Sequence, residues 1–213
     1  MSFEVICCLG DSIANGYWDE RGLGWFGRLQ EKMATAYPYK FGFNNLAQSG
    51  DRICDVYHRL CSEALTREPD ILVIAIGVND IIRWQREDGP TDMSPQARHE
   101  WWHRTLGIAK KNVEKVLIVG LTPNVEERQP CTGYDGVTPM WNLNKDTVAY
   151  NADIKAWAQE FGYPFLDVMD DWMARDYDAL MHDATHPNGA GHEVLANQVF
   201  DKLKELNWIG DVR

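Results

Sequence analysis

Apolar residues along this chain follow two alternating rhythms. Short, nearly unbroken apolar runs read as buried strands of a parallel sheet. Stretches with an apolar residue every three to four positions read as helices packed on that sheet. Phe3-Glu4-Val5-Ile6-Cys7-Cys8-Leu9, ended by Gly10, is the first such strand. Leu23, Phe26, Leu29, Met33 and Tyr37 mark one helix face, which Pro38 stops. Phe41-Gly42-Phe43-Asn44-Asn45-Leu46 is the second strand, and Ile53, Val56, Tyr57, Leu60 and Ala64 line the next helix. Ile71-Leu72-Val73-Ile74-Ala75-Ile76 is apolar on both faces and therefore central. Ser94-Pro95 has the form of an N-cap with proline at the first helical position, opening a helix to about Lys111 that carries Trp101, Trp102, Leu106 and Ile108. Val116-Leu117-Ile118-Val119-Gly120-Leu121 is the fourth strand. A helix with Val148, Asn151, Ile154, Trp157, Ala158 and Phe161 in register leads to a short fifth strand, Pro164-Phe165-Leu166-Asp167-Val168. Asp183 to Pro187 opens the last helix, with Ala190, Val194, Leu195, Val199 and Leu203 turned inward.

Strands alternating with helices predict an α/β fold, a three-layer, flavodoxin-like, doubly wound sheet of five parallel strands in the order 2-1-3-4-5. Its switch point falls between the first and third strands, where such folds bind ligands. The expectation is a single domain over residues 1–213. Two stretches stand apart from the rhythm. Residues 83–92 are polar and irregular. Residues 122–140 hold Pro123, Pro130, Gly133, Gly136 and Pro139 and read as a loop long enough to be either a lid or a surface excursion.

Composition narrows the picture a little. With 213 residues, 45% of them hydrophobic, the chain can bury a substantial core. A net charge of -11 disfavours nucleic acid as a partner. Five cysteines, with no C-x-x-C pair, read as reduced, buried thiols in a cytoplasmic protein; Cys7 and Cys8 are expected to point to opposite sheet faces. No secretory leader is visible, and no apolar run approaches the ~20 residues of a membrane span.

The chemistry lies in where the strands end. Ser12 follows the first strand, Gly50 the second and Asn79 the third, all on the carboxyl edge beside the switch point. A serine needs a base, and the base needs orienting. The far end of the chain offers both, in Asp183-Ala184-Thr185-His186-Pro187. Each feature alone has a bland explanation as a turn or a helix cap.

Together they resemble the SGNH (GDSL-type) hydrolases. Gly10-Asp11-Ser12-Ile13 is similar to that family's first block, Asn45-Leu46-Ala47-Gln48-Ser49-Gly50 to its second, Gly77-Val78-Asn79-Asp80 to its third, and Asp183-Ala184-Thr185-His186-Pro187 to its fifth. The blocks come in the family's order and span the chain. Ile13 replaces the usual leucine, and Ala47 stands where glycine is common; neither supplies a reacting atom. The resemblance implies a catalytic Ser12, His186 and Asp183, with an oxyanion hole formed by the backbone N–H groups of Ser12 and Gly50 and the Asn79 amide. That agrees with the chemistry: a nucleophile, a base, and a carboxylate fixing the base's tautomer. The expected function is a serine esterase acting through an acyl-enzyme on short-chain acyl or acetyl esters, without cofactor or metal. A lysophospholipase, a thioesterase and a carbohydrate acetyl-esterase are alternatives within the class. The expected partner is a small-molecule ester, and homo-oligomerisation is left open.

Other motifs compete. His99-Glu100-Trp101-Trp102-His103 matches H-E-x-x-H and offers a zinc-peptidase reading, but Leu106 and Ala109 replace the extended motif's Gly and His. A non-catalytic binding module is a third reading. Gly22-Leu23-Gly24-Trp25-Phe26-Gly27 matches G-x-G-x-x-G without a preceding strand. His192 is expected in a core or capping role, and His182 near the site but not catalytic. Trp84, Trp101, Trp102 and Trp141 are expected in or near loops around the site, as an acyl wall, a sugar platform, core or subunit contact.

Overall fold

The computed structural model describes residues 3–210. Its elements are β1 (Glu4–Gly10), α1 (Ser12–Asn15), α2 (Gly24–Ala36), β2 (Phe41–Asn45), α3 (Ile53–Arg59), β3 (Ile71–Ala75), β4 (Arg83–Trp84), α4 (Pro95–Asn112), β5 (Lys115–Val119), β6 (Cys131–Thr132), β7 (Pro139–Trp141), α5 (Asn144–Glu160), β8 (Phe165–Leu166), α6 (Met169–Met173) and α7 (Gly189–Glu205). The main sheet has the order β2-β1-β3-β5-β8, and every pairing in it is parallel. This is the expected 2-1-3-4-5, with β5 and β8 as fourth and fifth strands.

Alternation along each strand divides the core in two. Ile6, Cys8, Ile71, Val73 and Leu117 face α2 and α7, where Trp25, Phe26, Leu29, Leu195 and Val199 meet them. Cys7, Leu9, Leu72, Ile74 and Val116 face α3, α4 and α5, against Val56, Trp102, Leu106, Tyr150 and Ile154. Cys7 and Cys8 do point to opposite faces, both fully buried. The expectation of burial fails for Cys61, which is exposed, and holds only in part for Cys54 and Cys131; all five thiols are free.

Gly10 shows why the first strand ends as it does. A β-carbon there would fall 2.5 Å from both the Ala14 side chain and the Ala75 carbonyl oxygen, so only glycine lets α1 turn back over the sheet edge.

The structure departs from the sequence reading in three places. The 122–140 stretch is not a bare loop: β6 and β7 form a hairpin, and β7 pairs with β4 from the "irregular" 83–92 stretch to make a three-stranded antiparallel sheet. Strands of two and three residues, with Pro130 just before β6 and Pro139 opening β7, leave no periodic signal. Asp183 to Pro187 does not open the last helix; α7 begins at Gly189, with the Asn188 side chain accepting from the N–H groups of Ala190 and Gly191. The short α6 falls where no helix was expected, because five residues are too few to display a period.

Candidate active site

The five motif residues converge at the carboxyl edge of the sheet. Ser12 is the first residue of α1, and Asp11 before it caps that helix, its Oδ1 accepting from Ile13 N at 3.0 Å. Asp11 is buried, and burial, against the pull of that N–H and of nearby His186, pushes its carboxyl up to about 6. Two side-chain amides tie α1 to the loop after β2: Asn15 donates to Ala47 O at 2.9 Å and Asn45 to Ala14 O at 3.1 Å.

Asp183 and His186 meet through a tight turn. Asp183 Oδ1 accepts from the backbone N–H groups of Thr185 (2.8 Å) and His186 (2.7 Å). The same turn brings His186 Nδ1 to 2.8 Å from Asp183 Oδ2. The far ring nitrogen, Nε2, lies 2.9 Å from Ser12 Oγ. One hydrogen-bonded chain therefore runs from carboxylate to imidazole to hydroxyl, between residues 174 apart in sequence. Burial works to raise the Asp183 carboxyl, but the hydrogen bond and charge of His186 and the two backbone donors outweigh it and hold it at about 2. An ionised carboxylate at that position fixes the His186 tautomer with Nε2 free to take a proton.

Gly50 and Asn79 stand opposite. Gly50 has φ +87°, a left-handed conformation that turns the loop after β2 toward the serine. Asn79 is buried, and one of its amide hydrogens goes to Asp51 O at 2.9 Å. Its Oδ1 accepts from the Tyr134 hydroxyl at 3.3 Å. Behind it, Asp80 Oδ1 accepts from Ile53 N (3.0 Å) and Oδ2 from the Tyr150 hydroxyl (2.6 Å), which in turn accepts from Trp102 Nε1 at 2.8 Å. Full burial drives the Asp80 carboxyl up to about 7 despite those donors.

Ser12, Gly50, Asn79 and His186 open into one cavity of about 250 Å³, walled also by Tyr17, Ile82, Tyr134, Met140 and Asn142. Across Tyr134 lies a second hollow of about 250 Å³, which shares Gly50, Asn79 and Ile82 with the first and is lined by Arg52, Asp92 and Trp84. A nucleophile hydrogen-bonded to a base, beside an apolar-walled pocket, suits acyl transfer.

The competing motifs sit elsewhere. The His99 and His103 rings stack at 3.8 Å on α4, His103 Nε2 meets Glu160 at 3.1 Å, and Glu100 is paired with Arg104. His192 is fully buried and bridges Trp25 N (3.2 Å) and Tyr17 O (3.0 Å), the core role expected; burial lowers its pKa. His182 stacks on Trp18 beside the site. Two of the four tryptophans are misplaced by the sequence reading. Trp102 is fully buried in the core, and Trp101 packs on Tyr57 and His58 along α3 and α4. Helical spacing placed both on α4 but did not tell a site-facing position from a core one. Tyr17, Trp18, Tyr134 and Asn142 also stand at the site, and the sequence pattern does not mark them. The signal available for the first two was their place in the polar turn directly after Ser12; for the last two, which reach the pocket through a hairpin, there was none.

The family model for the GDSL-like lipase/acylhydrolase family matches residues 8–194. An acetylxylan esterase of Xylanibacter ruminicola is 27% identical over 93% of the chain, which spans only 43% of that protein's length. An acetylxylan esterase of Geobacillus stearothermophilus is 24% identical, over 98% of this chain and 97% of its own. Among solved structures, the lipase/acylhydrolase from Enterococcus faecalis superposes with a TM-score of 0.78 at 19% identity, covering 96% of this chain and 97% of that one.

Proposed function

The chain belongs to the GDSL-like lipase/acylhydrolase family, and on that premise we propose that it is a serine esterase that removes acetyl or other short acyl groups from hydroxylated, carbohydrate-like alcohols. The observation that carries the reading is the Ser12–His186–Asp183 hydrogen-bonded chain opening into a pocket of about 250 Å³. A chamber of that size, closed by Tyr17, Ile82, Tyr134 and Met140, suits a small acyl group better than an extended lipid tail. Two of the relatives are acetylxylan esterases, which supports the choice of acyl group and alcohol.

In this mechanism Ser12 Oγ attacks the acyl carbonyl carbon while His186 Nε2 takes the hydroxyl proton. The carbonyl oxygen becomes an oxyanion and is met by the Ser12 and Gly50 N–H groups and by the second amide hydrogen of Asn79. Asp183 Oδ2 stabilises the imidazolium through Nδ1–H. His186 then gives its proton to the departing alcohol oxygen, leaving an acyl ester on Ser12. Water gives one proton to His186 and attacks that ester; as the tetrahedral intermediate collapses, His186 returns the proton to Ser12 Oγ and the carboxylic acid leaves. A cytoplasmic setting belongs to the same reading, supported by the five free thiols.

The test is fluorophosphonate labelling followed by peptide mapping, then a panel of esters varied in acyl and alcohol parts. A single adduct on Ser12, absent in His186→Ala, with the fastest turnover on acetylated sugars, is the expected result. Folded protein that takes no label defeats the nucleophile assignment; a preference for long acyl chains defeats the substrate class.

A further inference from the structure

We infer that Trp18 is a positioning residue for Asp183, acting on the carboxylate oxygen that orients His186; the inference rests on the serine-esterase reading above. Trp18 Nε1 donates to Asp183 Oδ2 at 3.0 Å, the same oxygen that accepts from His186 Nδ1 at 2.8 Å. Since Asp183 Oδ1 is held by the Thr185 and His186 backbone donors, the indole completes a set of four and fixes the carboxylate from both sides.

The backbone at Trp18 supports a role beyond packing. Its φ is +64°, a left-handed conformation that is unusual and costly for a bulky aromatic. Burial does not hold it there, because Trp18 is 48% exposed. What holds it is a stack on His182, with ring centroids 4.4 Å apart and planes within 16°, an edge contact from Tyr17 at 5.2 Å, and the bond to Asp183. Both neighbours are anchored. Tyr17 O accepts from the buried His192 ring, and Asp19 is gripped by Arg28 through Nε (3.1 Å) and Nη2 (2.7 Å). The turn after the nucleophile is thereby clamped on each side of a strained residue, and that residue reaches across to the carboxylate at the far end of the chain. Strain concentrated at such a contact is the pattern of a residue held for its geometry.

The test compares wild type, Trp18→Phe, Asp183→Asn and the double variant. Phenylalanine keeps an aromatic ring against His182 and loses only the N–H. Steady-state kinetics on an acetyl ester should show kcat lowered roughly tenfold in Trp18→Phe, about one hydrogen bond's worth of orientation, with KM unchanged. In the Asp183→Asn background the same change should cost less than about twofold, because the group it orients is gone. Independently of turnover, the Trp18 indole N–H resonance should shift in Asp183→Asn. An unmoved resonance, equal losses in the two backgrounds, or a raised KM at constant kcat would each overturn the assignment, the last by making Trp18 a substrate contact. A wild-type chain that neither turns over an ester nor takes the fluorophosphonate label overturns the esterase reading itself, and the indole spectrum keeps the two failures apart.

Discussion

The Asn79 side chain donates to the Asp51 carbonyl at 2.9 Å, so the loops after β2 and β3 are joined at the mouth of the Ser12 pocket. That bond uses one amide hydrogen and aims the other. Asn79→Ala should therefore lower kcat by ~10²–10³, the usual cost of one oxyanion donor. Steady-state kinetics beside a thermal melt would check this: a fold that survives with near-wild-type kcat would remove Asn79 from the oxyanion hole.

Asp183→Asn keeps the size of the side chain but removes the charge that fixes the His186 tautomer. Turnover should fall by about 10⁴-fold while the chain still folds, since the asparagine carbonyl oxygen can keep accepting from the Thr185 and His186 N–H groups. The loss is read from single-turnover acylation on an activated acetyl ester; activity within tenfold of wild type would mean another group orients His186.

The Arg28–Asp19 pair is buried on both sides, with side-chain exposures of 8% and 0%. Burial would raise the Asp19 carboxyl, but Arg28 and the N–H groups of Arg21 and Gly24 hold it at about 2. Arg28→Ala leaves that charge buried without its partner and should cost about 3–5 kcal/mol in urea unfolding. A loss under about 1 kcal/mol would show the 16–24 turn relaxing to let water reach Asp19.

Asp80 gives a pH signature. Burial raises its folded-state pKa to about 7, above the ordinary value near 3.8, so the folded protein binds this proton more tightly than the unfolded chain does. Its contribution to stability is therefore greatest below about pH 4 and declines as pH rises to about 7. Asp80→Asn lacks that slope. The stability of the variant relative to wild type should rise between pH 4 and 7 and level off above; parallel curves from chemical denaturation across that range would contradict it.

His99 and His103 lie on the outer part of α4, engaged with each other and with Glu160. His99→Ala, and dialysis against a chelator, should leave esterase activity within about twofold of wild type, as expected for a reaction carried by Ser12. A tenfold drop on chelation, restored by zinc, would reinstate the H-E-x-x-H motif.

Much of this molecule could be read from local pattern, for reasons that particular residues make plain. The strand Ile71–Ala75 is apolar at every position because helices cover both its faces. Pro38 and Pro95 bracket helices through the backbone alone. Ser12, Gly50 and Asn79 were legible because each sits just past a strand, and parallel strands bring their carboxyl ends to one edge. The β4-β7-β6 sheet was not legible, since β4 and β7 pair only two residues across a gap of about fifty positions, and the β6-β7 hairpin pairs only two more. Trp18 was not legible either, because nothing local marks a left-handed tryptophan.

Residue pattern along the chain was enough for the two apolar faces of the sheet and for the residues that follow its strands, and the fold class implied by the strand–helix alternation supplied the strand order. These depend on periodicity and chain direction, which are local properties. Tertiary structure alone decided the distances: 2.9 Å from Ser12 to His186, 3.0 Å from Trp18 to Asp183, and the placing of Tyr134 over Asn79. Those contacts join segments separated by 55 to 174 residues. Their geometry is set by how whole elements pack against one another, which no single stretch of sequence encodes.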